Sequence, residues 1–158
     1  MSNFKSYLYG AYGSNLNTKQ MSLRCPRAER AGTVLLDDYR LTFRGVADIE
    51  PCKGSEVPIA LWRITEKCEE ALDRYEGFPR FYDKHFVELR NQKMMRTYGP
   101  LSISPIPKIM LYRMVDSETV YPPIDPYLES IIQGYEDFEL RMEYLKDAIK
   151  LSYIEETA

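Results

Sequence analysis

Between Thr65 and Pro79 the chain carries a complete start-to-stop helix signal, and the rest of the fold has to be arranged around it. Thr65 is a suitable N-cap, and Glu66 suits the positive end of a helix dipole. Cys68, Ala71, Leu72 and Tyr75 recur at i, i+3, i+4 and i+7, which makes one face apolar. Gly77 fits the position just past the helix, and Pro79 forbids its continuation. On either side the pattern is that of strands. Residues 4–9 are rich in β-formers and run into Gly10, a strand ending in a tight turn. Residues 32–43 read as a long strand or a hairpin, and 59–64, 81–89 and 109–115 read as further strands. A short helix is expected over 19–24, after the capping types Asn17 and Thr18 and before Pro26. Residues 44–57 contain Gly45, Pro51 and Gly54 and read as a loop or irregular hairpin. Residues 91–108, with Gly99, Pro100, Pro105 and Pro107, read as a mobile loop. In the tail, Asp125 as N-cap and Pro126 as first helical residue announce a helix over 127–135. Leu140, Tyr144, Ala148 and Leu151 line one face of another. Strands first and two helices last make an α+β fold with a curved, partly closed sheet, and 158 residues suit a single domain, 1–158.

Charge narrows the function. Lys and Arg number 21 against 24 Asp and Glu, a formal net charge of −3, so nothing draws the chain generally toward phosphate backbones. No nucleic-acid partner is expected. Cys25, Cys52 and Cys68 are odd in number and widely spaced, with no CxxC pair, which argues against a disulfide framework. There is no basic-then-apolar leader, and no apolar run approaches ~20 residues. The expectation is a cytoplasmic protein with no membrane partner. Thirteen tyrosines suit both a β-rich core and a wet pocket.

Two stretches are candidates for chemistry. In Leu8-Tyr9-Gly10-Ala11-Tyr12-Gly13-Ser14-Asn15-Leu16, two glycines three apart follow a strand, and Ser14 and Asn15 favour local turns. Such a curl is either an ordinary turn or a nest of N–H groups for an anion or a developing oxyanion. A third glycine and a long following helix are absent, so it is no dinucleotide fingerprint, and it is not GxSxG, which makes Ser14 a poor nucleophile. Glu76 ends the helix of Leu72-Asp73-Arg74-Tyr75-Glu76-Gly77, where the negative dipole end and the aromatic neighbours Tyr75, Phe78 and Phe81 disfavour its charge. Both effects push a carboxyl toward the range of a general base, although a solvated glutamate fits the same local features. His85 is the only histidine and reads as a packing or surface residue; no ligand spacing supports a metal.

Taken together, these stretches resemble the γ-glutamylcyclotransferase-like superfamily, which includes the AIG2-like proteins. The likeness rests on Tyr9-Gly10-Ala11-Tyr12-Gly13-Ser14-Asn15-Leu16, on Leu72-Asp73-Arg74-Tyr75-Glu76-Gly77 and on Trp62 in Leu61-Trp62-Arg63-Ile64. It rests also on Phe81-Tyr82-Asp83-Lys84 and on the tail around Gly134-Tyr135. The resemblance implies a small curved mixed β-barrel with flanking helices. It implies a γ-glutamyl substrate bound by Tyr12, Gly13, Ser14, Asn15 and Leu16, with Tyr82 and Tyr112 lining the cavity and Glu76 as the catalytic acid and base. It implies ring closure to 5-oxoproline and a free amine, with no cofactor and no metal. Phe138 stands where close relatives would be expected to have a small residue, which bears on the edge of the pocket. Two other classes compete: a non-catalytic module of the same fold that binds a γ-glutamyl or 5-oxoproline-like molecule, and a structural protein with a vestigial cavity.

Overall fold

A computed structural model describes residues 3–99, 106–116 and 119–157, the backbone alone for 154–157. Its centre is one curved, unclosed six-stranded sheet. The strands are β1 (Phe4–Ala11), β2 (Glu29–Arg44), β3 (Val46–Thr65), β4 (Tyr82–Glu88), β5 (Lys93–Thr97) and β6 (Lys108–Met114). Their order is β4-β6-β1-β3-β2-β5, so β4 and β5 are the two edges of an incomplete barrel. The β1–β6 pair is parallel and every other pair antiparallel, a mixed sheet. The four expected strands 4–9, 59–64, 81–89 and 109–115 all lie in it, with ends moved by a residue or more.

Of the two readings open for residues 44–57, loop or irregular hairpin, the structure takes the second. These residues are ordered hairpin, β2 turning at Gly45 (φ 79°) straight into β3, with Phe43 opposite Ala47 and Tyr39 opposite Pro51. β1 pairs only with residues 60–65 of β3, so among the described residues the stretch 46–58, with Pro51 and Pro58, forms a ladder along one edge alone, where proline is tolerated. Asp38 (φ 62°) sits in the bulge that separates the two halves of the hairpin. Within 91–108, residues 93–97 form β5 along β2. It is exposed throughout and does not alternate, which hid it from a reading of periodicity. Residues 100–105 of that segment lie outside the described residues.

The helices are α1 (Thr18–Arg24), α2 (Glu66–Glu76), α3 (Asp125–Asp137) and α4 (Met142–Thr157). Asn17 caps α1, its side chain accepting from Gln20 N at 3.0 Å. Thr65 caps α2 by accepting from Cys68 N at 3.2 Å, and Gly77 closes it in the left-handed region (φ 68°). Asp125 is the first residue of α3 and not its cap; Ile124 holds that position and Pro126 follows as the second helical residue. Leu140 packs against the core from just before α4, on which Tyr144, Ala148 and Leu151 follow.

The helix α3 buttresses the turn after β1. A Cβ on Gly134 would stand 2.4 Å from Leu16 Cβ and 2.6 Å from its carbonyl carbon, so only glycine lets the two backbones meet. Asp137 accepts from Thr18 N and Thr18 Oγ1, both at 3.0 Å, and Ser130 O accepts from Asn17 Nδ2 at 3.2 Å. Trp62 and Tyr112 are buried. Phe138 is a core residue, packed edge-on against Trp62, and is not at a pocket edge.

Candidate active site

After β1 the chain leaves the sheet at Tyr12 and makes a single 3-10 turn, Ser14–Leu16. Leu16 N donates to Gly13 O at 3.0 Å, so this N–H is used inside the turn. The N–H groups of the residues just before it have no acceptor within the turn, as at any helix start. Gly13 is not in the left-handed region (φ −120°), but it is closely approached: an added Cβ would lie 3.0 Å from Ala47 Cβ and 3.2 Å from Tyr127 Oη. A side chain is excluded here by packing and not by a positive φ.

Opposite this loop stands the C-terminal end of α2. The two enclose a cavity of about 120 Å³, and Tyr12, Gly13, Ser14, Asn15, Glu76, Tyr82 and Tyr112 all line it. Seven of the eight residues singled out for the site are thus brought together from four parts of the chain. Leu16 is the exception. It is fully buried and directed at Gly134, so its part is to anchor the loop to α3. The lone His85, on β4 opposite Leu111, is not on the cavity.

The sequence reading missed Tyr9, Gly10, Val46, Ala47, Tyr75 and Tyr127. Tyr75 was visible, since it neighbours Glu76, but its helical spacing marked it as an apolar-face residue. It is in fact 44% exposed, with its hydroxyl 2.8 Å from Ser14 Oγ and the Arg24 guanidinium 3.6 Å from its ring centre. Val46 and Ala47 were hidden because neither reading of 44–57, loop or irregular hairpin, marks a cavity wall. Ala47 is a polar hub through its backbone: its carbonyl accepts from Tyr82 Oη at 2.7 Å and its N–H donates to Tyr127 Oη at 2.8 Å.

Tyrosine hydroxyls dominate the walls. Tyr12 Oη donates to the Tyr112 carbonyl and Tyr112 Oη to Asp73 Oδ1, both at 2.6 Å. Burial pushes the phenols of Tyr9, Tyr12, Tyr82, Tyr112 and Tyr127 upward, so all stay neutral donors. Glu76 is different. Burial pushes its carboxyl up to about 7, and only the charge of Arg24 pulls the other way. Among the described residues no hydrogen bond or ion pair engages that carboxylate. A half-buried acid without a protein partner, balanced near neutrality, is equipped to take a proton and give it back. Among the described residues there is also no cluster of His, Cys, Asp and Glu able to hold a metal ion, and no helix long and apolar enough to cross a membrane.

The chain is similar to named proteins and to solved structures. Residues 9–120 match the family described as "Gamma-glutamyl cyclotransferase, AIG2-like". A bovine protein named Gamma-glutamylcyclotransferase is 30% identical over 163 residues, covering 96% of this chain and 80% of that one. Its mouse namesake is 34% identical over 85 residues, 46% of this chain and 45% of the mouse protein. A solved structure titled "Gamma-glutamyl cyclotransferase" superposes with a TM-score of 0.71 at 25% identity, covering 90% of this chain and 85% of that one. An uncharacterized human protein superposes with a TM-score of 0.72 at 25% identity, over 93% and 87% of the two chains. The matched stretch begins at Tyr9, on the strand that feeds the cradle loop, and takes in Glu76 and all of the sheet but the first five residues of β1; the chain belongs to the Gamma-glutamyl cyclotransferase, AIG2-like family.

Proposed function

We propose that this protein is a γ-glutamylcyclotransferase that closes the γ-glutamyl group of its substrate to 5-oxoproline and releases an amine, with Glu76 as base and then acid. The observation that carries the reading is the unpartnered carboxyl of Glu76, held near neutrality in the same cavity as the Tyr12–Asn15 loop.

At neutral pH the α-amino group of the substrate is an ammonium and cannot attack. Glu76 as carboxylate removes a proton, and the freed amine adds to the γ-carbonyl carbon of the same molecule. The carbonyl oxygen becomes an oxyanion as the five-membered ring closes, and N–H groups of the curled loop, whose residues line the cavity, receive it. The C–N bond to the departing amine then breaks. In all, two protons leave the attacking nitrogen and two reach the departing one, which goes as an ammonium; Glu76 passes them on and ends as it began. The nucleophile lies within the substrate, so no Ser-His or Cys-His pair is needed. Holding the chain folded for ring closure supplies an entropic advantage. A cavity of about 120 Å³ is small beside the ~300–1,000 Å³ of ordinary ligand sites, which suits the glutamyl half with the amine half toward solvent.

The test is turnover of a panel of γ-glutamyl amino acids and γ-glutamyl amines, read as 5-oxoproline formed, with wild type and Glu76→Gln. Formation by wild type and its loss in Glu76→Gln is the expected result. Binding of 5-oxoproline with no turnover of any panel member overturns the enzyme reading in favour of a binding module.

A further inference from the structure

We propose that Tyr9 is a further catalytic residue, whose phenol O–H donates a hydrogen bond to the γ-carbonyl oxygen of the substrate as that oxygen takes on negative charge. The inference rests on the function proposed above.

It comes from following the hydroxyl protons of the six tyrosines on the cavity. Tyr12, Tyr82 and Tyr112 give theirs to protein oxygens: the Tyr112 carbonyl, the Ala47 carbonyl and Asp73 Oδ1. Tyr75 and Ser14 share one bond between their hydroxyls. Tyr9 and Tyr127 are arranged the other way. Each oxygen accepts an N–H, from Asn15 Nδ2 at 3.0 Å and from Ala47 N at 2.8 Å, and among the described residues neither proton has an acceptor. Both are left to donate into the cavity.

The direction of the Tyr9 bond is decided by Arg24. A reversed Asn15 amide would offer its oxygen to Tyr9 and take the phenol proton. Arg24 forbids this, because its guanidinium is donor only and is bonded to Asn15 Oδ1; reversal would set N–H against N–H. Arg24 is itself held in place, by Gln20 Oε1 at 3.1 Å and flat on the Tyr75 ring. A chain of donors therefore runs from the cation through Asn15 to Tyr9, and each bond polarises the next. Its last member is a buried phenol with 3% of its surface exposed.

Position separates Tyr9 from Tyr127. The oxyanion forms on the carbon that joins the two nitrogens between which Glu76 moves protons, so its donor must stand beside Glu76. Tyr9 is joined through Asn15 and Arg24 to the ring of Tyr75, the residue next to Glu76, whereas the Tyr127 hydroxyl is tied to the Ala47 N–H beside Gly13. No proton is transferred in this role. The bond tightens as C=O becomes C–O⁻ and relaxes when the carbonyl re-forms on departure of the amine.

Two variants test it on one γ-glutamyl substrate that wild type cleaves. Tyr9→Phe removes the donor alone. Asn15→Asp puts a carboxylate where the amide N–H was, so that the Tyr9 proton turns away from the cavity while the link to Arg24 is kept as an ion pair. On the high-pH plateau both are expected to lower kcat about 100-fold with KM changed only a few-fold. In Tyr9→Phe the pH midpoint set by Glu76 stays near its wild-type value. A fold defect alone would lower the active fraction in an active-site titration with 5-oxoproline and leave kcat per active site intact. Near-wild-type kcat per active site in either variant overturns the proposal, and if Tyr9→Phe does not fold, Asn15→Asp decides. Absence of 5-oxoproline from wild type overturns the proposed function itself, and this inference with it.

Discussion

Glu69 and Glu76 are the same side chain on the same helix, seven residues and about two turns apart, and the structure uses them in opposite ways. Burial pushes the Glu69 carboxyl up, but Lys84 at 2.6 Å, the Tyr7 hydroxyl and Lys5 at 3.7 Å together more than reverse it, and it ends below its ordinary value. Lys84 reaches on to Asp73 at 3.0 Å, and Asp73 accepts from Tyr112, so the whole acidic face of α2 is pinned to β1, β4 and β6. For Glu76 burial is the main influence, with one guanidinium to oppose it, and the carboxyl ends near 7. Partners turn one glutamate into an anchor, and their absence leaves the other free to exchange a proton. The two titrate with opposite consequences. Glu69, its pKa lowered, contributes stability above its unfolded value and loses it as the pH falls through the folded one. Glu76, its pKa raised, leaves the fold most stable below about 4.5, and that advantage is lost as the pH rises through about 7.

The sharpest way to break this contrast is Glu76→Gln, which cannot accept the ammonium proton. Turnover is expected to fall by about 10²–10⁴-fold with 5-oxoproline binding retained, measured by initial rates and by titration of the product. On the anchoring side, Lys84→Met leaves Glu69 and Asp73 facing each other without their cation. Chemical denaturation is expected to show a loss of about 2 kcal/mol, while kcat per folded molecule changes little; a loss of kcat with unchanged stability would reverse the roles assigned here. A subtler test compares Glu76→Gln with wild type across pH. Near pH 5 the two should melt together, and by pH 8 the variant should be more stable by about 1–2 kcal/mol, a value reduced from the full shift because the carboxyl is only half-buried. The smallest shift is that of the Glu76 midpoint in Arg24→Gln, read apart from kcat, which the same variant lowers by freeing the Asn15 amide. It removes the charge that holds the Glu76 carboxyl down, so the rising limb of the pH–rate profile is expected to move to higher pH; a downward move would remove Arg24 from the account.

Much of the contrast was legible beforehand at Glu76 and little of it at Glu69. The end of a helix and the Gly77 stop are local signals that locate Glu76, and the rise itself comes from burial in the cavity, not from Tyr75 and Phe81, which are exposed. Glu69 is held by Lys84, Tyr7 and Lys5, which lie fifteen to sixty-four positions away, and no pattern within α2 announces them. The same division runs through the cavity. The loop Tyr12-Gly13-Ser14-Asn15 was legible because glycine and turn-forming side chains mark their own conformation. Ala47 and Tyr127 were not, because their roles consist of one backbone amide and one phenol meeting across 80 positions.

By itself, then, the order of residues determined the capped helix α2, the strands on either side of it, the cradle loop and the acid at the helix end. These depend on propensity, capping and periodicity, which act over a few neighbours. Only the tertiary structure decided that residues 44–57 are hairpin, that Leu16 is an anchor for α3, and that Arg24 orients Asn15 toward Tyr9. Each of these turns on which distant group occupies the next few ångströms, and hydrogen-bond direction and desolvation have no value until that group is in place.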